Sequence, residues 1–135
     1  MNGKFLMLCG AFMLSIAAGA DAHHSFSAQY DRDKPITLTG AVSKIEWTNP
    51  HARIYIDVED ESGNLENWDF ELGPPNGLMR LGWNARSLRE GQIVTIEGFL
   101  SKTEPRVANA RTVRLPDGRQ VFAGSSFDTE APADE

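Results

Sequence analysis

"ITLTGAVSKIEW", residues 36–47, is the stretch that decides the fold. Ile36, Leu38, Gly40 and Val42 alternate with polar or small residues, the period of a half-buried strand. The phase then shifts, because Ile45 and Trp47 occupy odd positions. One extra residue near Ser43 accounts for the shift, so the sequence predicts a β-bulge that bends the first strand.

The pattern continues on both sides of this strand. Asn49-Pro50 marks a turn. A second strand places Ile54, Ile56 and Val58 on one face and Arg53, Tyr55, Asp57 and Glu59 on the other. "DESGN", residues 60–64, reads as a hairpin loop. A third strand carries Trp68, Phe70 and Leu72 against Asn67, Asp69 and Glu71. Pro75 then opens a short helix and Gly82 closes it, with Leu78, Met79 and Leu81 expected to face the core. "SLREGQ" turns into a fourth strand, where Val94, Ile96, Gly98 and Leu100 share a face. Residues 101–106 form a loop, and a fifth strand is expected over about Arg111 to Leu115. "PDG" at 116–118 turns the chain into a short last strand, Gln120 to Ala123.

This order predicts an all-β domain with one short helix, a small OB-like five-stranded β-barrel over residues 36–123. A β-sandwich is the competing architecture, but it needs no helix and usually has more strands. Residues 23–35, "HHSFSAQYDRDKP", read as a polar, irregular N-terminal arm that Phe26 and Tyr30 would pin to the domain. From Gly124 the tail "GSSFDTEAPADE" is polar and acidic, and disorder is expected there.

Residues 1–22 read as a signal peptide. Lys4 supplies a positive start, "FLMLCGAFMLSIAA" at 5–18 an apolar run, and small residues follow with Ala-x-Ala spacing. The run is short for a membrane span, which takes roughly 20 residues. Cleavage is allowed after Ala20 or after Ala22, and the second makes His23 the first residue. Cys9 is the sole cysteine and lies inside this segment, with bulky Leu8 before it where a lipoprotein signal has a small residue. The exported chain would thus have neither a lipid anchor nor a disulfide. Export without disulfides suits a periplasm. A formal charge of −6 argues against nucleic acid and against an anionic membrane surface as partners.

"HHSF" after a signal, "G-x-V-x-x-I-E-W-T-N-P-H", "GPPNGL", "GW", "G-Q-x-V-T-I-E-G" and "LPDGR-x-V-F-A-G" together resemble a family of small exported bacterial proteins classed as a domain of unknown function. The resemblance runs from His23 to about Ser125. It implies export and a shared fold, but no activity.

The chemistry rests on nitrogen ligands. His23, His24 and His51 are the three histidines of the chain. With His23 at a free terminus, its amine and ring nitrogen form a chelating pair that His51 would complete. This resembles the histidine brace of copper monooxygenases and of small periplasmic copper-binding β-barrels. Cleavage after Ala20 would instead put His23 third, behind Asp21 and Ala22, which resembles the amino-terminal copper and nickel motif. Met79 would be the one methionine left beyond the signal, so nitrogen-preferring Cu(II) is expected over Cu(I). Zinc would call for a fourth ligand such as Glu46 or Asp31. The plainer alternative is that the histidine pair is a solvated chain start and His51 a turn residue.

A second candidate is the loop at Glu46, Trp47, Asn49 and His51, a polar-aromatic patch where OB barrels take ligands. It would serve an envelope glycan, peptide or protein partner without metal. Tyr55, Trp68 and Trp83 would extend it as a sugar-stacking face, unless the tryptophans are core. Asp69 and Glu71 are an acid–base pair by spacing, or simply the solvent side of a strand. No Gly-x-Ser-x-Gly, nucleophilic cysteine or phosphate loop is present, which favours a binding or accessory role over catalysis.

Overall fold

The expected bulge is there: pairing of the first strand shifts register between Val42 and Lys44. A computed structural model describes residues 26–124. Residues 1–25, on which the expected signal peptide, His23 and His24 fall, and the tail from residue 125 lie outside the described residues. Strand β1 (Tyr30–Glu46) serves two neighbours, which its bend makes possible. Its residues 35–41 run antiparallel to β4 (Ile93–Ser101), and its residues 41–46 antiparallel to β2 (Arg53–Glu59). β3 (Leu65–Glu71) completes a hairpin with β2. It also pairs in parallel with β5 (Val107–Arg114) over Asp69–Val107, Phe70–Ala108 and Glu71–Asn109. β5 lies antiparallel to β4. Five strands therefore close into a ring in the order β1-β2-β3-β5-β4, and β6 (Gln120–Phe122) adds to β5.

The ring encloses Val42, Ile54, Ile56, Phe70, Val94, Ile96 and Val113, all buried. Helix α2 (Pro75–Arg80) closes one end with Leu78. Tight closure needs glycine at Gly98, where a Cβ would stand 1.8 Å from the Asn109 carbonyl oxygen. Ala108 and Ala110 fill the inner side of β5 with little volume.

Four details differ from expectation. The segment from residue 26 to 35 is not an irregular arm. Phe26–Gln29 forms a single-turn helix, α1, and β1 begins at Tyr30. Its pinning role holds: Phe26 and Tyr30 bury with Phe99 and Val107 in a second apolar cluster. Val107 and Asn109 alternate with inward Ala108 and Ala110, so this cluster sits on the outer face of the ring. β5 starts at Val107 rather than about Arg111, because β3 and β4 both offer it backbone partners there. Met79 and Leu81 are exposed rather than core. A six-residue helix turns one stripe inward, and Leu78 occupies it. The last strand stops at Phe122, and Ala123 follows it into the core. Among the described residues, no helix is long and apolar enough to cross a membrane.

Candidate functional site

Hairpin register sets the site. Arg53 faces Glu71 and Tyr55 faces Asp69 across β2–β3, while Glu46 faces Arg53 across β1–β2. These side chains alternate with core residues, so they share the outer face. There Arg53 bridges two carboxylates: Nη1 donates to Asp69 Oδ2 and Nη2 to Glu71 Oε2 at 2.9 Å. The other oxygen of Glu71, Oε1, lies 3.3 Å from His51 Nδ1. Tyr30 lies buried beside this network, close enough for the Glu71 carboxylate to raise its phenol pKa. At the far side, Glu46 receives Lys44 and the Tyr55 hydroxyl, the latter at 3.2 Å. The Lys44 ammonium stands 5.2 Å from the Tyr55 ring centre, within cation–π range.

The face is low in solvent access where Glu71 sits, with a side chain only 9% exposed. Burial, reinforced by Glu71, holds the Tyr30 phenol well above its usual pKa. Burial likewise raises Asp69, against the pull of Arg53. Two buried acceptors on this face, Asp69 Oδ1 and Asn109 Oδ1, have no hydrogen-bond partner.

A carboxylate only accepts, so a neutral His51 ring with its hydrogen on Nδ1, toward Glu71, would keep its lone pair on Nε2. Metal-binding imidazoles are oriented in this way by an outer carboxylate. His51 is part exposed, with a side chain at 38%. Among the described residues, no group of three or more His, Cys, Asp or Glu is placed to hold a metal.

The residues singled out in the sequence divide as follows. Glu46 and His51 reach the same polar face, Glu46 through Tyr55 and Arg53, His51 through Glu71. Asn49 is exposed and precedes a cis proline, Pro50. Trp47 is half-buried against the core and lines a small cleft with Ile45, Ala52, Leu72, Trp83 and Leu88. Trp83 is core, its indole N–H donating to the Phe122 carbonyl at 2.9 Å. Asp31 engages Lys34 and the Asp33 amide. Asp69 and Glu71 are not a solvent-facing side of a strand: Arg53 and the covering Tyr30 draw them into a network. Sequence reasoning missed Arg53 as its hub. The signal was available, because Arg53 and Glu71 lie equally far from the centre of the 60–64 hairpin loop.

Comparison with known proteins gives a family and a distant fold neighbour. The model of a "Family of unknown function (DUF6152)" matches residues 11–108. No curated protein matches the chain. A crystal structure described as mitochondrial single-stranded DNA binding protein from S. cerevisiae, Rim1, is similar with a TM-score of 0.48 and 13% identity. That match covers 61% of this chain and 92% of the other. The chain belongs to the DUF6152 family.

Proposed function

We propose that this DUF6152 member is an exported periplasmic binding protein on an OB-like barrel that carries or buffers Cu(II). The metal would be held by the amine and ring of a processed His23 terminus together with His51 Nε2. The observation that carries this reading is the carboxylate beside His51: Glu71 Oε1 lies 3.3 Å from His51 Nδ1, and the same carboxylate raises the pKa of the Tyr30 phenol. Tyr30 in turn stacks on Phe26 with ring centres 5.5 Å apart. His23 is three residues before Phe26, a span of at most about 10 Å, and the reading requires that span to bring the terminus to His51. His24 is the spare ligand if His51 is not used. The surrounding carboxylates and the formal charge of −6 favour a cation over nucleic acid.

The test is to purify the processed protein, read its N-terminal mass, and titrate Cu(II) against it and against a form with one extra N-terminal residue. Tight one-to-one binding by the first alone is expected. His51→Ala should weaken it, and equal weak binding by both forms would overturn the reading. If binding survives His51→Ala but not His23→Ala, cleavage after Ala20 and a three-residue terminal motif would replace the brace.

A second reading is a metal-independent module for an envelope glycan, peptide or protein. The apolar cleft beside Trp47 and Trp83, next to the 46–51 loop, favours it. Partner capture that is indifferent to copper and lost in Trp47→Ala would select it.

A further inference from the structure

α1 and the start of β1 lie across the ring as a strap with a break behind it. α1 has four residues, too few to hold helical form on their own. Tyr30 pairs with Ser101 and Pro35 with Phe99, so five steps along β1 match only two along β4. The looped-out residues, Asp31, Arg32, Asp33 and Lys34, are all charged, and the last two are exposed. Their contacts stay within the strap. Asp31 accepts the Asp33 amide at 3.0 Å and pairs with Lys34 at 3.5 Å, while the Arg32 guanidinium caps the Phe26 ring. Pro35 has no N–H to carry the pairing on.

The strap is anchored at one spot. Phe26 and Tyr30 bury with Phe99 and Val107. The Lys102 amide donates to the Gln29 carbonyl at 2.9 Å, and the Lys102 ammonium to the Ser27 carbonyl. Beneath it the polar fit is incomplete. Asn109, 1% exposed, lies in register between Phe99 of β4 and Glu71 of β3. The Phe26 ring meets Phe99, and the charges of Glu71 and Asp69 raise the Tyr30 phenol, so the two rings of the strap reach both flanks of Asn109. Asn109 Oδ1 and Asp69 Oδ1 are buried without a hydrogen-bond partner. An acceptor shut away from water without a partner bears its full desolvation penalty. Closing the strap therefore forgoes hydration that opening restores.

We infer that residues 26–30 are a lid that swings on Asp31–Pro35 while the five-strand ring stays closed, presenting Asp69, Glu71 and Asn109 to solvent. Closed, the lid hides an acceptor-rich strip edged by Phe99 and Val107. Open, it leaves that strip accessible beside the 101–106 loop. Such an opening is a sub-global unfolding, distinct from melting of the ring. It requires neither metal nor a particular signal cut.

Two amides separate the two motions. The amide of residue 102 is bonded to the lid, and the Leu72 amide to the Ala52 carbonyl in the ring, at 2.9 Å. Hydrogen exchange of both is followed by NMR on chelator-treated protein. The amide of residue 102 should be at least about 100-fold less protected than that of Leu72, within the spread between local and global opening. Lys102→Ala, at an exposed position, removes the ammonium anchor and should lower protection at 102 severalfold, with Leu72 unchanged. Asn109→Leu removes one unpartnered acceptor and should raise protection at 102 severalfold, an effect that simple fraying of the 101–106 loop would not show. Equal protection of the two amides in the parent would overturn the inference, since the strap would then leave only on global unfolding. So would Lys102→Ala leaving position 102 unchanged. Unchanged or lower protection at 102 in an Asn109→Leu variant whose Leu72 amide stays protected would overturn it as well. Where Asn109→Leu loosens Leu72 too, the comparison of parent with Lys102→Ala decides.

Discussion

Glu71 and Arg53 are joined through one carboxylate oxygen, Oε2 at 2.9 Å from Nη2, which leaves Oε1 free to face His51 at 3.3 Å. Glu71→Gln replaces one of those acceptors by a donor, so either the guanidinium or the imidazole meets an NH2. The expected loss is about 1–3 kcal/mol of stability. If His51 is a ligand, Cu(II) affinity should also fall about 10–100-fold, the usual effect of removing an outer carboxylate. Urea unfolding and copper titration separate the two effects. Unchanged affinity in a folded variant would strip Glu71 of its positioning role.

Phe26 anchors the start of β1. Its ring meets Phe99 edge-on with centres 5.6 Å apart, stacks on Tyr30, and is capped by the Arg32 guanidinium at 5.1 Å. Phe26→Ala should cost about 3 kcal/mol, the low end for a buried phenylalanine, because the single-turn helix that carries it relaxes around the void. Under the copper reading it should also weaken metal binding, since it frees the terminus from His51. A loss of stability with metal binding intact would disconnect the two.

Local pattern made most of this legible. The alternation around Ser43, the hairpin loop at 60–64 and the Pro75 helix start each rest on neighbours in sequence. What stayed hidden is non-local. Nothing near Asp69 announces that β3 meets Val107 in parallel, or that Tyr30 folds over Glu71 from the far end of β1. Those two contacts turn a strand face expected to meet solvent into a half-buried charge network. Met79 and Leu81 were misplaced for the opposite reason: they are apolar, but the helix bearing them is too short to bury more than one stripe.

Two glycines make contrasting predictions. At Gly98 an added Cβ would lie 1.8 Å from a backbone oxygen of the neighbouring strand, so β4 and β5 must separate. Gly98→Ala should cost roughly 2–3 kcal/mol or more, as overpacking does. At Gly77 in α2 the nearest atom is Pro74 Cγ at 3.6 Å, ordinary contact. Gly77→Ala should stabilise by about 0.5–1 kcal/mol through the lower entropy of the unfolded chain. Denaturation midpoints of the two variants should therefore move in opposite directions.

Copper affinity should fall as pH drops. A terminal amine titrates at about 7.7–8.0 and free imidazole at about 6.5, and each must be unprotonated to bind. Affinity measured from about pH 8 down to pH 5.5 should decline steeply, with proton release on binding visible in weakly buffered solution. A flat profile would exclude amine and imidazole nitrogens as the ligands.

Asp69 should make the protein less stable as pH rises through the range just above about 3.9, its unfolded value. Burial places its folded-state pKa above that value, against the opposing attraction of Arg53. Within the window the folded chain keeps a proton that the unfolded chain has released, so raising the pH favours unfolding. Once pH passes the folded value, the full destabilisation is present and the slope vanishes. Asp69→Asn has no proton to release there. Urea unfolding of parent and variant across the acid range should show the stability of the parent relative to Asp69→Asn decreasing with pH and then levelling. A relative stability that instead grew with pH would mean that Arg53 outweighs burial and that the carboxylate is held ionised by its partner.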